Sequence, residues 1–266
     1  MDIVEYNRAA WNKQSLEGSR WCDPVGAAEI AEARQGRWQV ILTPNKPVPQ
    51  RWFGRVAGKR ILCLASGGGQ QVPILAAAGA LVTSFDNSDE QLNKDRLVAE
   101  REGLAVETVR GDMADLSVFE EASFDLIFHP VSNVFAADLQ PVWRECFRVL
   151  KPGGSLLAGF MNPLFFLFDH EEVEQTGYLQ VRYALPFSDV ASLPVERREK
   201  IQKSGLAFEF GHTLEQQIGG QLAAGFVLAD FYEDGWNDET TPLNRFSSLL
   251  IATRARKMRL EEDDAG

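Results

Sequence analysis

The chain has 266 residues, of which 45% are hydrophobic and 24% are charged, and this composition excludes fibrous and disordered proteins. Its formal net charge is −11 at pH 7. An acidic surface repels phosphate backbones, so we expect no nucleic acid as a partner. No apolar run approaches the roughly 20 residues that a bilayer-spanning helix needs, and the N-terminal residues lack a secretory signal. We therefore expect a soluble cytoplasmic protein, a monomer or homodimer, with no membrane partner.

The three cysteines, Cys22, Cys63 and Cys146, have neither metal-ligand spacing nor CxxC spacing. Their number is odd, which disfavours a disulfide framework. Cys63 lies in an apolar strand pattern and Cys146 in a helical one, so we expect both to be small core residues. The sequence therefore predicts no metal site.

The N-terminal segment, residues 1–55, is predicted to form a cap on the main fold. Val4–Arg34 has the pattern of one or two helices. The three prolines between positions 44 and 49 disfavour both helix and strand, so they predict an extended connector.

Apolar runs and helical stretches alternate between residues 59 and 161. The predicted strands are Arg60–Ala65, Leu81–Phe85, Ala105–Val109, Phe124–Phe128 and Ser155–Phe160. The predicted helices between them are Gln70–Ala78, Asp89–Glu102 and Leu139–Leu150. Strands that alternate with helices of this length form a parallel sheet through right-handed crossovers. The fold class is therefore α/β, and its ligand is expected beyond the carboxyl ends of the strands.

Residues 162–211 interrupt the alternation and are rich in aromatic and charged side chains, which predicts an insertion over the ligand edge of the sheet. The elements predicted in residues 212–254 are the helix Thr213–Ala224, the strands Phe226–Tyr232 and Phe246–Thr253, and the acidic loop Glu233–Glu239. Residues 255–266 are predicted to be a solvated tail, because basic residues stand there beside acidic ones. The whole chain is thus predicted to be a single domain.

A glycine turn, Gly67–Gly69, joins the first core strand to the first core helix. Glycine permits positive φ and a close approach of the backbone to a ligand, and the helix N-terminus beyond it offers free N–H groups. Asp86 ends the next strand, where a carboxylate accepts hydrogen bonds from a ribose diol. Asp112 follows the third strand, where it can take an adenine amino group, with Met113 against the ring. We expect these loops to converge on one nucleoside.

At these residues the sequence resembles the class I S-adenosylmethionine-dependent methyltransferases. Residues 61–69 match the family's first motif, Gly111–Met113 the segment that contacts adenine, and Phe124–His129 the fourth-strand motif. Leu150–Gly154 matches the family's turn before the fifth strand, which separates this prediction from a dehydrogenase. The resemblance implies a Rossmann-like, mostly parallel seven-stranded sheet with helices on both faces and an antiparallel C-terminal strand pair. It also implies S-adenosyl-L-methionine as cofactor and methylation of a small-molecule substrate that the sequence does not identify.

The resemblance further predicts which residues bind the cofactor. They are Ala65, Ser66, Gly67, Gly68, Gln70, Gln71, Asp86, Asn87, Ser88, Gln91, Asp112, Met113, His129 and Asn133. Two positions depart from the family's first motif, which usually has an acidic residue where this chain has Cys63 and a glycine where it has Ala65. That acid helps to orient the glycine loop. Ser66, Gln70 or Gln71 are predicted to supply substitute polar groups.

A general base helps methyl transfer if the acceptor is a hydroxyl or an acidic carbon. His129, directly after the fourth strand, is the first candidate for this catalytic role, because the pKa of histidine suits proton transfer near neutrality. The alternative is that His129 shapes the turn or contacts the cofactor. His212, just before a predicted helix, is the second candidate. Tyr6, Trp11 and Trp52 are expected either to cover the pocket or to pack in the core.

Two other functions remain open on the sequence alone. An NAD(P)-dependent oxidoreductase shares the glycine turn and Asp86, although Val72 stands where the dinucleotide pattern has its third glycine. A non-catalytic module that binds S-adenosylmethionine is the other alternative, because Cys63 and Ala65 depart from the motif.

Overall fold

A seven-stranded sheet organises the chain in the computed structural model, which describes residues 1–236 and 241–259. In chain order the strands are β1 (Arg60–Leu64), β2 (Leu81–Asp86), β3 (Val106–Arg110), β4 (Phe124–His129), β5 (Leu150–Met161), β6 (Phe187–Ser188), β7 (Phe210–Gly211), β8 (Phe226–Asp234) and β9 (Leu250–Lys257). The sheet has the order β3-β2-β1-β4-β5-β9-β8, in which β1 to β5 are parallel and β9 is antiparallel to both of its neighbours. This confirms the predicted Rossmann-like sheet and its antiparallel C-terminal pair. β6 and β7 form a separate small sheet.

Helices pack on both faces of the large sheet. In chain order the α-helices of the described residues are α1 (Ile3–Leu16), α2 (Ala27–Arg34), α3 (Gln50–Phe53), α4 (Gln71–Ala77), α5 (Asp89–Glu102), α6 (Gln140–Val149), α7 (His170–Thr176), α8 (Asp189–Ser192), α9 (Val195–Ser204) and α10 (Gly220–Ala223), of which α7 to α9 belong to the insertion. The ends of α5 follow from local chemistry. The hydroxyl of Ser88 accepts a hydrogen bond from Gln91 N at its start, and Gly103 is left-handed at its end.

The central strand β1 is buried on both faces. Ile61 and Cys63 pack on one face in a cluster that includes Trp52. Leu62 packs on the other face in a cluster that includes Trp143. A strand covered on both faces needs apolar side chains throughout, which is why its sequence shows a continuous apolar run instead of alternation.

The predicted core elements agree with the structure within one or two residues, with an exception at β5. The predicted strand Ser155–Phe160 is too short, because β5 begins at Leu150, where it pairs with Phe124 of β4. The predicted helix Thr213–Ala224 is also wrong in type over part of its length. A π-helical turn, Glu215–Gly219, precedes the short α10 there.

The last strand lies further along the chain than the prediction Phe246–Thr253. β9 runs to Lys257, so residues 255–257 of the predicted tail are strand. Lys257 Nζ donates a hydrogen bond to Phe147 O (2.8 Å). It also lies 4.6 Å from the centre of the Phe147 ring. A long basic side chain that covers an aromatic ring in this way belongs to the packed structure. Residues 237–240 of the acidic loop and 260–266 of the tail lie outside the described residues.

Helix α1 holds the cap to both helix α5 and the insertion. Asn12 Oδ1 accepts a hydrogen bond from Ser88 Oγ at the start of α5 (2.7 Å). Asn7 exchanges two hydrogen bonds with the backbone of Phe208: Asn7 Nδ2 donates to Phe208 O (3.1 Å), and Phe208 N donates to Asn7 Oδ1 (2.8 Å). In the described part of the chain, no helix is both long and apolar enough to span a membrane.

Candidate active site

A cavity of about 450 Å³ lies where the loops after β1, β2 and β3 meet. The predicted cofactor residues that line it are Ala65, Ser66, Gly67, Gln70, Gln71, Asp86, Asn87, Gln91, Asp112 and Met113. The three loops therefore converge on one space at the carboxyl ends of the strands. Its volume falls within the range of about 300–1,000 Å³ that is usual for small-molecule sites.

The glycine loop passes so close to α5 that it has no room for side chains. A methyl group on Gly67 would lie 2.8 Å from Gln91 Cβ. Gly68 and Gly69 have φ of +120° and +77°, in the region that favours glycine. Glycine at position 67 therefore lets the backbone form part of the cavity wall, and Gly68 and Gly69 give the loop its tight path behind it.

Asp86 ties the end of β2 to this loop. Its Oδ2 accepts a hydrogen bond from Gly67 N (3.0 Å), and its Oδ1 accepts one from Ser88 N (2.9 Å). Burial raises the pKa of Asp86 to about 6, although both backbone hydrogen bonds favour the ionised form. Because the side chain also lines the cavity, a ligand hydroxyl that donates to it would stabilise the carboxylate further.

Asp95, on the buried side of α5, holds the glycine loop from behind. Its carboxylate accepts hydrogen bonds from Gly69 N (2.7 Å) and Ser84 Oγ (2.6 Å), and the residue is 0% exposed. Burial raises its pKa to about 7. Asp95 thus makes an orienting contact of the kind expected from an acid at position 63, where Cys63 is a buried core residue. Sequence analysis missed Asp95, because it lies outside every motif, 26 positions beyond Gly69.

Ala65 stands where the family motif has glycine, and its φ is +48°. This left-handed conformation costs an alanine about 1–2 kcal/mol. The departure from the motif therefore adds backbone strain at the cavity wall.

Neither histidine predicted as a general base lines the cavity. His129 is fully buried, and its ring nitrogens lie 3.0 Å from Leu64 O and 2.7 Å from Asn133 Oδ1. His212 is 3% exposed, and its Nε2 lies 2.9 Å from Ala136 O. Burial lowers the pKa of both imidazoles. This geometry argues against a base and supports the alternative in which His129 shapes the turn after β4.

Three other predicted cofactor residues lie behind the cavity wall. Gly68 N donates a hydrogen bond to Gln91 O (3.0 Å) and so fixes the glycine loop on α5. Ser88 caps the same helix. Asn133 is 0% exposed, and its Nδ2 donates to Gln217 Oε1 (2.8 Å). These residues support the loops that line the cavity.

The cap and the insertion complete the wall with residues that were not assigned to the site. They are Ile3, Val4, Asn7, Trp21, Ile41, Leu42, Thr43, Pro44, Phe165 and Glu209. Of the three aromatic residues considered as a cover, Trp11 lines the cavity. Tyr6 instead donates a hydrogen bond to Leu206 O, and Trp52 is 1% exposed in the core. Aromatic content was the only sequence signal for this part of the wall.

Comparison with known proteins identifies the family. The family model described as "Methyltransferase domain" matches residues 62–158. Over 256 residues the chain is 51% identical to the "Uncharacterized methyltransferase YbaJ" of Bacillus subtilis (strain 168), which covers 96% of this chain and 99% of that protein. The chain belongs to the class I S-adenosylmethionine-dependent methyltransferases. It is therefore an enzyme with S-adenosyl-L-methionine as its cofactor.

Solved structures share the fold of this methyltransferase. An S-adenosylmethionine-dependent methyltransferase from Mesorhizobium loti is 17% identical with a TM-score of 0.60, and the match covers 78% of this chain and 94% of that one. A Burkholderia thailandensis 1,6-didemethyltoxoflavin-N1-methyltransferase with bound S-adenosylhomocysteine is 14% identical with a TM-score of 0.58, over 96% of this chain and 88% of that one. At such identities the likeness concerns the fold alone.

The polar atoms of this methyltransferase's cavity fit an adenosyl ligand. Ser66 Oγ and Gln91 Oε1 are buried and have no nitrogen or oxygen partner among the described residues; only the weakly polar thiols of Cys63 and Cys22 approach them. Both residues line the cavity. A ligand with a ribose diol and an ammonium group supplies the donors that these acceptors lack.

Proposed function

We propose that this methyltransferase acts on a small molecule that binds in the same cavity as the cofactor. The observation that carries the proposal is the cover: side chains of α1, together with Trp21 and Phe165, line the cavity along with the cofactor loops. A macromolecular acceptor would have to displace this cover, whereas a small molecule fits beneath it. The net charge of −11 also disfavours nucleic acid.

In this proposal the loops after β1, β2 and β3 each bind a different part of the cofactor. The N–H groups of the glycine loop and of α4 receive the carboxylate of the methionine part. Asp86 accepts hydrogen bonds from the ribose diol, and Asp112 takes the adenine amino group with Met113 against the ring. When bound, S-adenosylmethionine supplies an activated methyl group on a sulfonium, so the protein has mainly to orient the acceptor and exclude water.

The cover excludes water from the reaction. Ile3, Val4 and Phe165 are apolar and line the cavity, so they exclude water from the acceptor. Trp11 and Trp21 offer aromatic rings, whose faces attract a positive charge. No catalytic role is assigned to His129 or His212, because the cavity does not reach either ring.

The proposal includes the cellular setting expected from the sequence: a cytoplasmic monomer or homodimer that acts on neither nucleic acid nor membrane. Light scattering on the purified enzyme tests the oligomeric state, and a larger assembly would contradict it. The oxidoreductase alternative gains no support, since both the family model and the 51% identical relative are methyltransferases.

Two measurements test the function. Isothermal titration with S-adenosylhomocysteine should show binding to the wild type and weaker binding to Asp86→Ala. Asp89→Ala is the matched control, because that carboxylate lies on the surface of α5 with 49% of its side chain exposed. Methyl-labelled cofactor should then label the dialysable fraction of a cell extract. Label that stays with protein or nucleic acid would overturn a small-molecule acceptor.

A further inference from the structure

A second cavity of about 250 Å³ adjoins the first. Four residues line both: Trp11, Trp21, Phe135 and Glu209. The second cavity therefore continues the proposed methyl-transfer site on the side of the cap and the insertion. None of the predicted cofactor residues lines it.

Two carboxylates meet in this second cavity. The short pair of strands β6 and β7 brings Asp189 and Glu209 together, so that Glu209 N donates a hydrogen bond to Asp189 Oδ2 (2.8 Å) and Asp189 N donates to Glu209 O (3.0 Å). Asp189 is 9% exposed, and its Oδ1 accepts no hydrogen bond within the described chain. The carboxylate of Glu209 likewise has neither a hydrogen bond nor an ion pair there.

Among the side chains that the structure describes, no positive group forms an ion pair with these two carboxylates. Among the described residues, every charged side chain that lines either cavity is acidic: Asp86, Asp112, Asp138, Asp189 and Glu209. Burial raises the pKa of Glu209 to about 7 and that of Asp189 to about 6, and their mutual repulsion adds to the shift of Glu209. Asp189 is buried and Glu209 is partly buried, so a cation placed beside them would stabilise their ionised forms, and the site favours a positively charged occupant.

Aromatic rings surround the same space. Trp11 and Phe135 are in edge contact with ring centres 5.0 Å apart, and both line the two cavities beside Trp21. Aromatic faces attract ammonium groups, and alkylated ammonium groups in particular bind where several rings meet. An anionic acceptor, by contrast, would face carboxylates without a counter-ion.

We propose that the methyl acceptor is an aliphatic amine, whose nitrogen is held by Glu209, with Asp189 behind it, among the rings of Trp11, Trp21 and Phe135. This inference rests on the proposed function, since it names the substrate class for the same cavity. In the reaction the bound ammonium first gives one N–H proton to the Glu209 carboxylate. The nitrogen lone pair then forms the N–C bond to the methyl group as the C–S bond breaks, and the electron pair of that bond stays on sulfur. The methylated ammonium leaves, and Glu209 returns its proton to water.

The test begins with enzyme saturated with S-adenosylhomocysteine, which reports the cofactor site independently of the acceptor. Choline and its uncharged isostere 3,3-dimethylbutan-1-ol are titrated into this complex. Wild-type enzyme should bind choline about 10- to 100-fold more tightly than the isostere, because only choline pairs with the carboxylates. Glu209→Gln, which keeps the shape and removes the charge, should abolish most of this preference. Glu199→Gln removes an exposed acid of α9 and should keep it.

Transfer of labelled methyl groups to a mixed panel of amines, phenols and carboxylic acids completes the test. Label on amines in the wild type, reduced about 100-fold or more in Glu209→Gln, supports the inference. Label only on phenols or acids, equal binding of choline and its isostere, or a Glu209→Gln variant with wild-type amine transfer would overturn it. If Glu209→Gln fails to bind S-adenosylhomocysteine, Asp189→Asn takes its place in the same comparison. A wild type that fails to bind S-adenosylhomocysteine would instead refute the proposed function itself.

Discussion

Replacing Gly67 by alanine adds one methyl group where the glycine loop passes α5. The added carbon would lie 2.8 Å from Gln91 Cβ and 3.2 Å from the carbonyl carbon of Gln91. Carbon atoms pack best about 3.5–4.0 Å apart, so the loop has to move by roughly 0.5–1 Å. Overpacking of this kind lowers the free energy of unfolding by about 1–3 kcal/mol. The same movement displaces Gly67 N from Asp86 Oδ2, so we expect the affinity for S-adenosylhomocysteine to fall by about 10- to 100-fold.

Urea unfolding and isothermal titration with S-adenosylhomocysteine measure these two effects. Gly219→Ala is the matched control, because its added methyl would lie 3.5 Å from Glu215 Cγ, an ordinary contact, and Gly219 does not line the cavity. The control should keep wild-type affinity and should not lose stability, since alanine at a position with helical backbone angles raises the free energy of unfolding by up to about 1 kcal/mol. A Gly67→Ala variant with wild-type stability and wild-type affinity would refute the argument from close approach.

Four further predictions concern single side chains. Asp86→Ala should weaken binding of S-adenosylhomocysteine by about 1–3 kcal/mol in a titration, because it removes charge-assisted hydrogen bonds to the ribose; unchanged affinity would exclude Asp86 from the site. Ala65→Gly should raise the free energy of unfolding in urea by up to about 1 kcal/mol, since glycine adopts φ of +48° without strain, and a loss of stability would contradict this. His129→Gln should lower that free energy by about 1–3 kcal/mol yet leave the pH profile of methyl transfer unchanged, whereas a shifted profile would restore His129 as a base. Burial raises the pKa of Asp95 from 3.8 to about 7, so its contribution to stability is full below about pH 4 and is lost as the pH rises through about 7. Asp95→Asn should therefore flatten the pH dependence of urea unfolding over that range, and an unaltered slope would show that Asp95 does not titrate there.

The core elements were predictable because local chemistry determines them. The Ser88 cap and left-handed Gly103 bound α5 at the predicted residues, and the apolar run of β1 reflects burial on both faces. Asp86 and Asp112 were predictable for a topological reason: parallel strands bring the residues that follow them to one edge of the sheet.

The rest of the site depends on contacts between distant segments, which no local pattern records. Asp95 supports the glycine loop from the buried face of α5. No local sequence pattern distinguishes this aspartate from the other acidic residues of the helix. His129 ends strand β4 at the edge of the sheet where a catalytic residue is expected, but its ring is buried and does not line the cavity. Glu209 reaches the cavity only because β7 pairs with β6. Side-chain direction and long-range pairing were therefore the missing information.

The hydrogen bonds between α1 and Phe208 span 201 positions of the chain. Synthesis on the ribosome proceeds from the N-terminus, so α1 and its partner Ser88 are made long before Phe208. The glycine loop, Asp86 and Asp112 have all been made by then as well. The hydrogen bonds that join α1 to the insertion can therefore form only at a late stage of biogenesis, after the cofactor loops are complete.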